Sequence, residues 1–241
     1  MGARLSSVLR SVVFDFGQTL VDSSQGFRAA ERTAQQRLLT VLPDVDPQDF
    51  MARYRTTRSG FKNASSFSRC ELWRTVLSMW NAEAAAAVLK AWEQDYWETV
   101  MTLTQPFPET VTVLRQLQQR YRLAVITNTQ GEYAPGTHRI GRIPELRGFF
   151  EAIIVAGEQG VPPKPSCRSF EACLNELNVS ADEAVYVGDD WDMDIKGARD
   201  CGMHAIWLQH HTVTRNWTVV HEKVPVITSL DELLRLPELL V

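Results

Sequence analysis

Ser11-Val12-Val13-Phe14-Asp15 is a short apolar run that stops abruptly on a carboxylate. Three consecutive apolar residues without alternation read as a strand buried on both faces, the kind a parallel sheet contains. Runs of the same type recur along the chain. Leu123-Ala124-Val125-Ile126 ends on Thr127, Ala152–Ala156 follows, and Ala184–Val187 ends on Gly188-Asp189. Shorter runs at Ala205–Leu208 and Val226-Ile227 complete the series. Helical patterns lie between them. Pro108 suits a first helical position ahead of Val113, Leu114, Leu117 and Tyr121, and Ser169–Leu177 puts Phe170, Cys173, Leu174 and Leu177 on one face. Ser229 with Glu232 forms a capping box before Leu233 and Leu234. Strands alternating with helices imply an α/β fold with a doubly wound parallel sheet.

Residues 23–103 break the alternation. They hold no convincing strand, and their long patterns are helical: Phe27–Leu42, Pro47–Arg58, Ser68–Trp80 and Glu83–Met101. The expected organisation is therefore a core of residues 1–22 and 104–241 with a helical insertion at 23–103, placed after the first strand. The chain near Asp22 and near Thr104 is where the two parts would hinge. Between Gly131 and Gly148 there is no room for a second large insertion.

Composition narrows the function classes. With 44% hydrophobic residues the 241-residue chain can build a sizeable core. Lys plus Arg (25) against Asp plus Glu (29) leaves a net charge of −4, which argues against a nucleic-acid-binding surface. No uncharged apolar run approaches the roughly 18–20 residues of a membrane helix, and Val12–Phe14 is too short for a signal peptide. Cys70, Cys167, Cys173 and Cys201 form no CxxC pair, so free thiols in a reducing, cytoplasmic setting are expected. The class that remains is a soluble intracellular protein, monomer or homodimer, with no nucleic-acid or membrane partner.

Ligands of open α/β sheets bind beyond the carboxyl ends of the strands. Those ends carry Asp15, Thr127-Asn128 and Asp189-Asp190. Asp189, Asp190, Asp192 and Asp194 place four carboxylates within six positions, a crowding that a hard cation such as Mg²⁺ would relieve. Asp192 alternates away and reads as a solvated loop residue. Taken singly, an aspartate after a strand is most often a turn or cap residue, and Lys164 among Pro162, Pro163 and Pro165 is an ordinary surface lysine. Their combination and order are what single them out.

In that order they resemble a family. Val12-Val13-Phe14-Asp15-Phe16-Gly17-Gln18-Thr19-Leu20 is similar to the first motif of the haloacid dehalogenase-like hydrolases, Val125-Ile126-Thr127-Asn128 to their second, Lys164-Pro165 to their third and Val185–Ala198 to their fourth. The resemblance covers nearly the whole chain and implies a Rossmann-like core, with the helical insertion as the cap these enzymes carry. It implies a phosphatase in which Asp15 attacks phosphorus to give an aspartyl-phosphate that water cleaves. Asp15, the Gly17 carbonyl, Asp189 and Asp194 would hold Mg²⁺. Thr127, Asn128 and Lys164 would bind the phosphoryl oxygens of a small phosphorylated metabolite, with Lys164 keeping Asp15 ionised.

One position departs from the pattern. The family's phosphatases usually carry a second aspartate two residues after the nucleophile, as the acid that protonates the leaving group, and here that residue is Gly17, followed by Gln18. General acid catalysis contributes roughly 10²–10⁴-fold, so alkyl phosphates are expected to react slowly and activated aryl or acyl phosphates less so. Two relatives also lack that acid. Dehalogenases work without Mg²⁺ and have no need of Asp189 and Asp194. Phosphonate-cleaving members use a cap lysine, for which Lys62, read as lying in a Gly-containing loop, is the available candidate beside Lys90. A catalytically weak regulatory protein that binds a phosphorylated ligand is the alternative from another class.

Residues 50–70 hold Arg53, Arg55, Arg58, Lys62 and Arg69 and no acidic residue. This positive stretch either steers an anionic substrate or forms a solvated face, and Arg58, Phe61, Lys62 and Asn63 are where specificity is expected. Trp73, Trp80, Trp92 and Trp97 read as core positions of the inserted helices, Trp191 as packing within the acidic loop, and His210-His211 as a surface pair.

Overall fold

The computed structural model describes residues 8–129 and 139–236. These fall into two compact units, one from residues 8–22, 105–128 and 139–236, the other centred on Ser23–Thr104. Residues 130–138, within the stretch considered too short for a second insertion, lie outside the described residues.

The first unit is built on a six-stranded parallel sheet of β1 (Ser11–Phe14), β4 (Arg122–Asn128), β5 (Ala152–Ala156), β6 (Ala184–Gly188), β7 (His204–Leu208) and β8 (Val226–Ile227). Their order across the sheet is β5-β4-β1-β6-β7-β8, so β1 is central and the crossovers reverse direction beside it. The apolar runs form these strands because both faces are covered. Val12, Phe14, Val125, Val185 and Val187 pack on α5 (Thr110–Leu117), while Val13, Ala124, Ile126 and Tyr186 pack on α7 (Cys167–Leu177). A strand's side-chain period of two distributes one apolar run to two cores. The strands expected from the sequence are the strands of this sheet, and the capping box at Ser229 and Glu232 heads the 3₁₀ turn Leu230–Arg235.

A small ribbon and two short helices were not expected. β2 (Val21–Asp22) pairs antiparallel with β3 (Gln105–Pro106), so in the chain the helical unit is inserted between the two strands of this ribbon. A short helix, α6 (Pro144–Arg147), precedes β5, and α8 (Gly197–Asp200) follows the acidic loop.

The second unit holds α1 (Ser24–Val41), α2 (Pro47–Asn63), α3 (Arg69–Ser78) and α4 (Ala86–Thr102). Asp46 caps α2 with Pro47 at its start, and Ser68 caps α3 by accepting from Glu71 N–H. Gly26 admits α4 closely, since a Cβ there would meet the Val100 carbonyl oxygen at 2.7 Å. Trp73 and Trp97 are buried in this unit's core, and Trp80 and Trp92 pack against it. Among the described residues no helix is long and apolar enough to cross a membrane.

Three expectations are corrected. Lys62 is not in a loop: α2 continues through Gly60 to Asn63, because Gly60 faces open space and one exposed glycine costs a helix only about 1 kcal/mol. Cys167 and Cys201 are not free thiols but a disulfide, with Cα atoms 5.4 Å apart, while Cys70 and Cys173 are free and buried. His210 is not at the surface. It is 1% exposed, stacks on Phe107 at 3.7 Å and meets Glu109 Oε1 through Nε2 at 2.9 Å, whereas His211 is exposed. Adjacent residues beyond a strand end can face opposite ways, which a dipeptide does not reveal.

Candidate active site

The carboxyl ends of β1, β4 and β6 meet at the point where the sheet's winding reverses. Asp15 directly follows β1, its N–H donating to the Val187 carbonyl of β6 at 2.9 Å. Beyond Asp15 the chain turns sharply: Gln18 takes a left-handed conformation (φ 63°), Gln18 N–H donates to Val21 O at 2.7 Å, and Gly17 bridges Val21. Thr127 and Asn128 finish β4, and Thr127 is buried.

Lys164 comes from the loop between β5 and α7 and is 2% exposed. Its ammonium donates to Asp15 Oδ1 at 2.7 Å, Asp194 Oδ1 at 2.6 Å and the Tyr186 hydroxyl at 2.9 Å. Asn128 Oδ1 accepts from the Lys164 backbone N–H at 2.8 Å, so the second-motif asparagine positions the lysine loop through its side chain. Burial alone would push the ammonium's pKa down, but Asp15 and Asp194 outweigh it and hold Lys164 well above its ordinary range.

Asp194 is placed by an unusual turn. After Gly188 the chain winds through a π-helical turn at Trp191–Lys196, in which Ile195 N–H reaches back to Asp190 O. Such turns occur disproportionately at functional sites because they re-aim one side chain. The Asp190 side chain caps it by accepting from Met193 N–H, and Asp190 N–H donates to Asp194 Oδ2 at 3.0 Å. Asp192 is exposed, and Trp191 packs on Trp207 with ring centroids 5.0 Å apart.

Carboxylate oxygens of Asp15, Asp189 and Asp194 lie within 4.8 Å of one another, all three side chains buried. Burial, then the charges of Asp15 and Asp194, push Asp189 well above the usual carboxylate range, against the pull of Arg215. Burial likewise raises Asp194 to about 6, with Lys164 opposing. Three hard oxygen donors, with Asp189 and Asp194 pushed toward their neutral forms by burial and by neighbouring carboxylates, fit a small divalent cation, which would favour their charged forms.

The structure therefore brings together Asp15, Lys164, Asp189 and Asp194, with Gly17 in the turn after Asp15 and Thr127 at the end of β4. Arg58 and Lys62 belong to the helical unit, where Arg58 Nε pairs with Glu31 Oε1 at 3.1 Å. Two residues were missed. Tyr186 offered one signal, a hydroxyl in the middle of an otherwise apolar strand. Arg215 offered none: it sits in the aperiodic stretch after β7, yet pairs with Asp189 and approaches Asp190 at 3.7 Å.

A sequence model described as haloacid dehalogenase-like hydrolase matches residues 9–202. A glyceraldehyde 3-phosphate phosphatase of Methanothermobacter thermautotrophicus is 28% identical over 238 residues, covering 97% of this chain and all of the relative. Among solved structures, the HAD-hydrolase YfnB of Bacillus subtilis, bound to magnesium, is 25% identical with a TM-score of 0.65, covering 95% of this chain and 98% of its own. A 2-haloacid dehalogenase of Pseudomonas syringae is 26% identical with a TM-score of 0.64, covering 97% and 98%.

Proposed function

This chain belongs to the haloacid dehalogenase-like hydrolases, and from that premise we propose that it is a Mg²⁺-dependent phosphatase of small phosphorylated metabolites. The observation that carries the reading is the ammonium of Lys164 held between Asp15 and Asp194 inside a buried carboxylate cluster. A dehalogenase attacks a neutral carbon and gains nothing from three crowded carboxylates, whereas a phosphoryl group brings negative charge that both a lysine and a cation must offset. The phosphatase relative from Methanothermobacter thermautotrophicus supports the same class.

In this reading an Asp15 carboxylate oxygen forms a bond to phosphorus as the bond to the leaving oxygen breaks. Water then cleaves the aspartyl-phosphate, returning Asp15 and releasing phosphate. Asp15, the Gly17 carbonyl, Asp189 and Asp194 would hold Mg²⁺, which when bound offsets the charge of the phosphoryl group. Lys164 and Thr127 would bind phosphoryl oxygens, and Asn128 fixes the lysine loop. With Gly17 where an acid usually stands, the leaving group takes its proton from solvent, so alkyl esters are the poor substrates. The helical unit, residues 23–103 by our reading, would act as the cap, with Arg58 and Lys62 as its candidate contacts to substrate.

Gly17 also favours a second reading, a catalytically weak protein that binds a phosphorylated ligand. Turnover of p-nitrophenyl phosphate separates the two. The phosphatase reading expects Mg²⁺-dependent hydrolysis that Asp15→Asn abolishes; a well-folded wild-type chain that binds phosphate but never turns over would support the second.

A further inference from the structure

We propose that the helical unit carries a second anion-binding site, a pocket between α1 and α2 that takes a ligand with anionic oxygens on an apolar or ring-bearing body. The pocket has a volume of ≈ 380 Å³, within the usual range for small-molecule sites, and draws all its lining residues from this unit. Four arginines line it: Arg28 and Arg32, one turn apart on α1, and Arg55 and Arg58, three residues apart on α2.

Like charges at such spacings repel within each helix, and two such pairs facing one pocket add to the cost. Neutralisation inside the pocket is incomplete. Glu31 is the acidic residue of the lining, and it is already engaged by Arg58 Nε at 3.1 Å, the Tyr54 hydroxyl at 2.8 Å and the Tyr96 hydroxyl at 2.7 Å. Among the described residues Arg28, Arg32 and Arg55 have no carboxylate within ion-pair distance. In a chain of net charge −4, three guanidinium groups around one cavity with no carboxylate partner among the described residues point to an anion as their partner. Phe27, Met51 and the ring of Tyr54 add an apolar surface that bare phosphate would not use, which assigns the apolar body. The inference stands whether or not the chain hydrolyses phosphate esters.

Naphthalene-1,5-disulfonate tests it, because it carries two oxyanions on an aromatic body and offers no phosphoester to cleave. Titration of the full chain in EDTA is expected to give one-to-one binding. Arg32→Glu with Arg55→Glu should weaken that binding at least tenfold. Arg115→Glu with Arg147→Glu, the same charge change on exposed positions of the sheet unit, should change it less than twofold. Circular dichroism checks that both variants fold, and both pairs lie on exposed helix surfaces. Absence of saturable binding, or equal weakening by the two double variants, would overturn the proposal. Where aryl phosphate turnover is measurable, competitive inhibition by the probe that the pocket variant relieves marks the site as holding the remote part of a substrate. Binding without competition marks a separate ligand. A chain with no turnover leaves the titration as the deciding readout.

Discussion

A methyl group added at Gly188 would sit 2.5 Å from Asp194 Cβ and 2.6 Å from its carboxyl carbon, so the glycine ending β6 is what lets Asp194 fold back toward Lys164. Gly188→Ala should therefore displace the carboxylate while leaving the sheet formed. We expect a Mg²⁺ affinity and a kcat each lowered at least tenfold, with a near-native circular dichroism spectrum. Unchanged Mg²⁺ affinity by calorimetry would show that Asp194 does not depend on this close approach.

The turn after Asp15 carries strain of its own. Gln18 adopts φ 63°, a conformation that costs a residue with a Cβ about 1–2 kcal/mol. Glycine there would lose about 0.5–1 kcal/mol through the unfolded chain's entropy. The balance favours the folded state, so Gln18→Gly should raise stability by about 0.5 kcal/mol in urea denaturation. A loss of stability of about 1 kcal/mol, the ordinary penalty for introducing glycine, would contradict this.

Proton and metal binding should compete at the acidic cluster. Burial raises Asp189 well above the carboxylate range and Asp194 to about 6. Both groups hold protons in the folded chain at pH values where the unfolded chain has lost them. The metal-free protein therefore gains stability from them as pH falls through about 6, and loses that contribution as pH rises. A cation has to displace those protons, so Mg²⁺ affinity should fall below about pH 6 by up to tenfold per pH unit for each proton released. Calorimetry in two buffers of different ionisation enthalpy counts the protons. Affinity independent of pH between about 5 and 7 would be the contrary result.

The Cys167–Cys201 bridge closes a 34-residue separation and joins the start of α7, three residues after Lys164, to the end of α8. A loop of that size corresponds to about 3–4 kcal/mol of stabilisation. Reduction, or Cys167→Ser with Cys201→Ser, should lower the unfolding free energy by about that amount. Equal urea midpoints with and without reductant would show that the bridge contributes little.

Much of the core was legible in the sequence, for a definite reason. Strands of a two-face-covered parallel sheet must be continuously apolar, and Ser11–Phe14 and Ala184–Gly188 stop being so just where Asp15 and Asp189 begin. Lys164 was legible only by its place among the other motifs, since nothing local distinguishes a proline-flanked lysine. What stayed hidden depends on tertiary approach. Cys167 and Cys201 are far apart in sequence and carry no pairing signal, and His210 is buried by Phe107 and Glu109 from about a hundred positions upstream. Gly60 misled because a glycine signals a break, yet an exposed one is carried by a helix already anchored through Phe50 and Tyr54. Arg215 follows no periodicity, and its pairing with Asp189 comes from the path of the chain after β7.

The central claim is that the Asp15 carboxylate is the group that receives the phosphoryl group. The direct test is acid quenching of the Mg²⁺-loaded enzyme during turnover of ³²P-labelled aryl phosphate, followed by peptide mapping. Label is expected on the peptide bearing Asp15, sensitive to hydroxylamine as an acyl phosphate is, and absent from Asp15→Asn. Phosphate release that persists at the wild-type rate in Asp15→Asn, or label carried on another residue, would contradict the account.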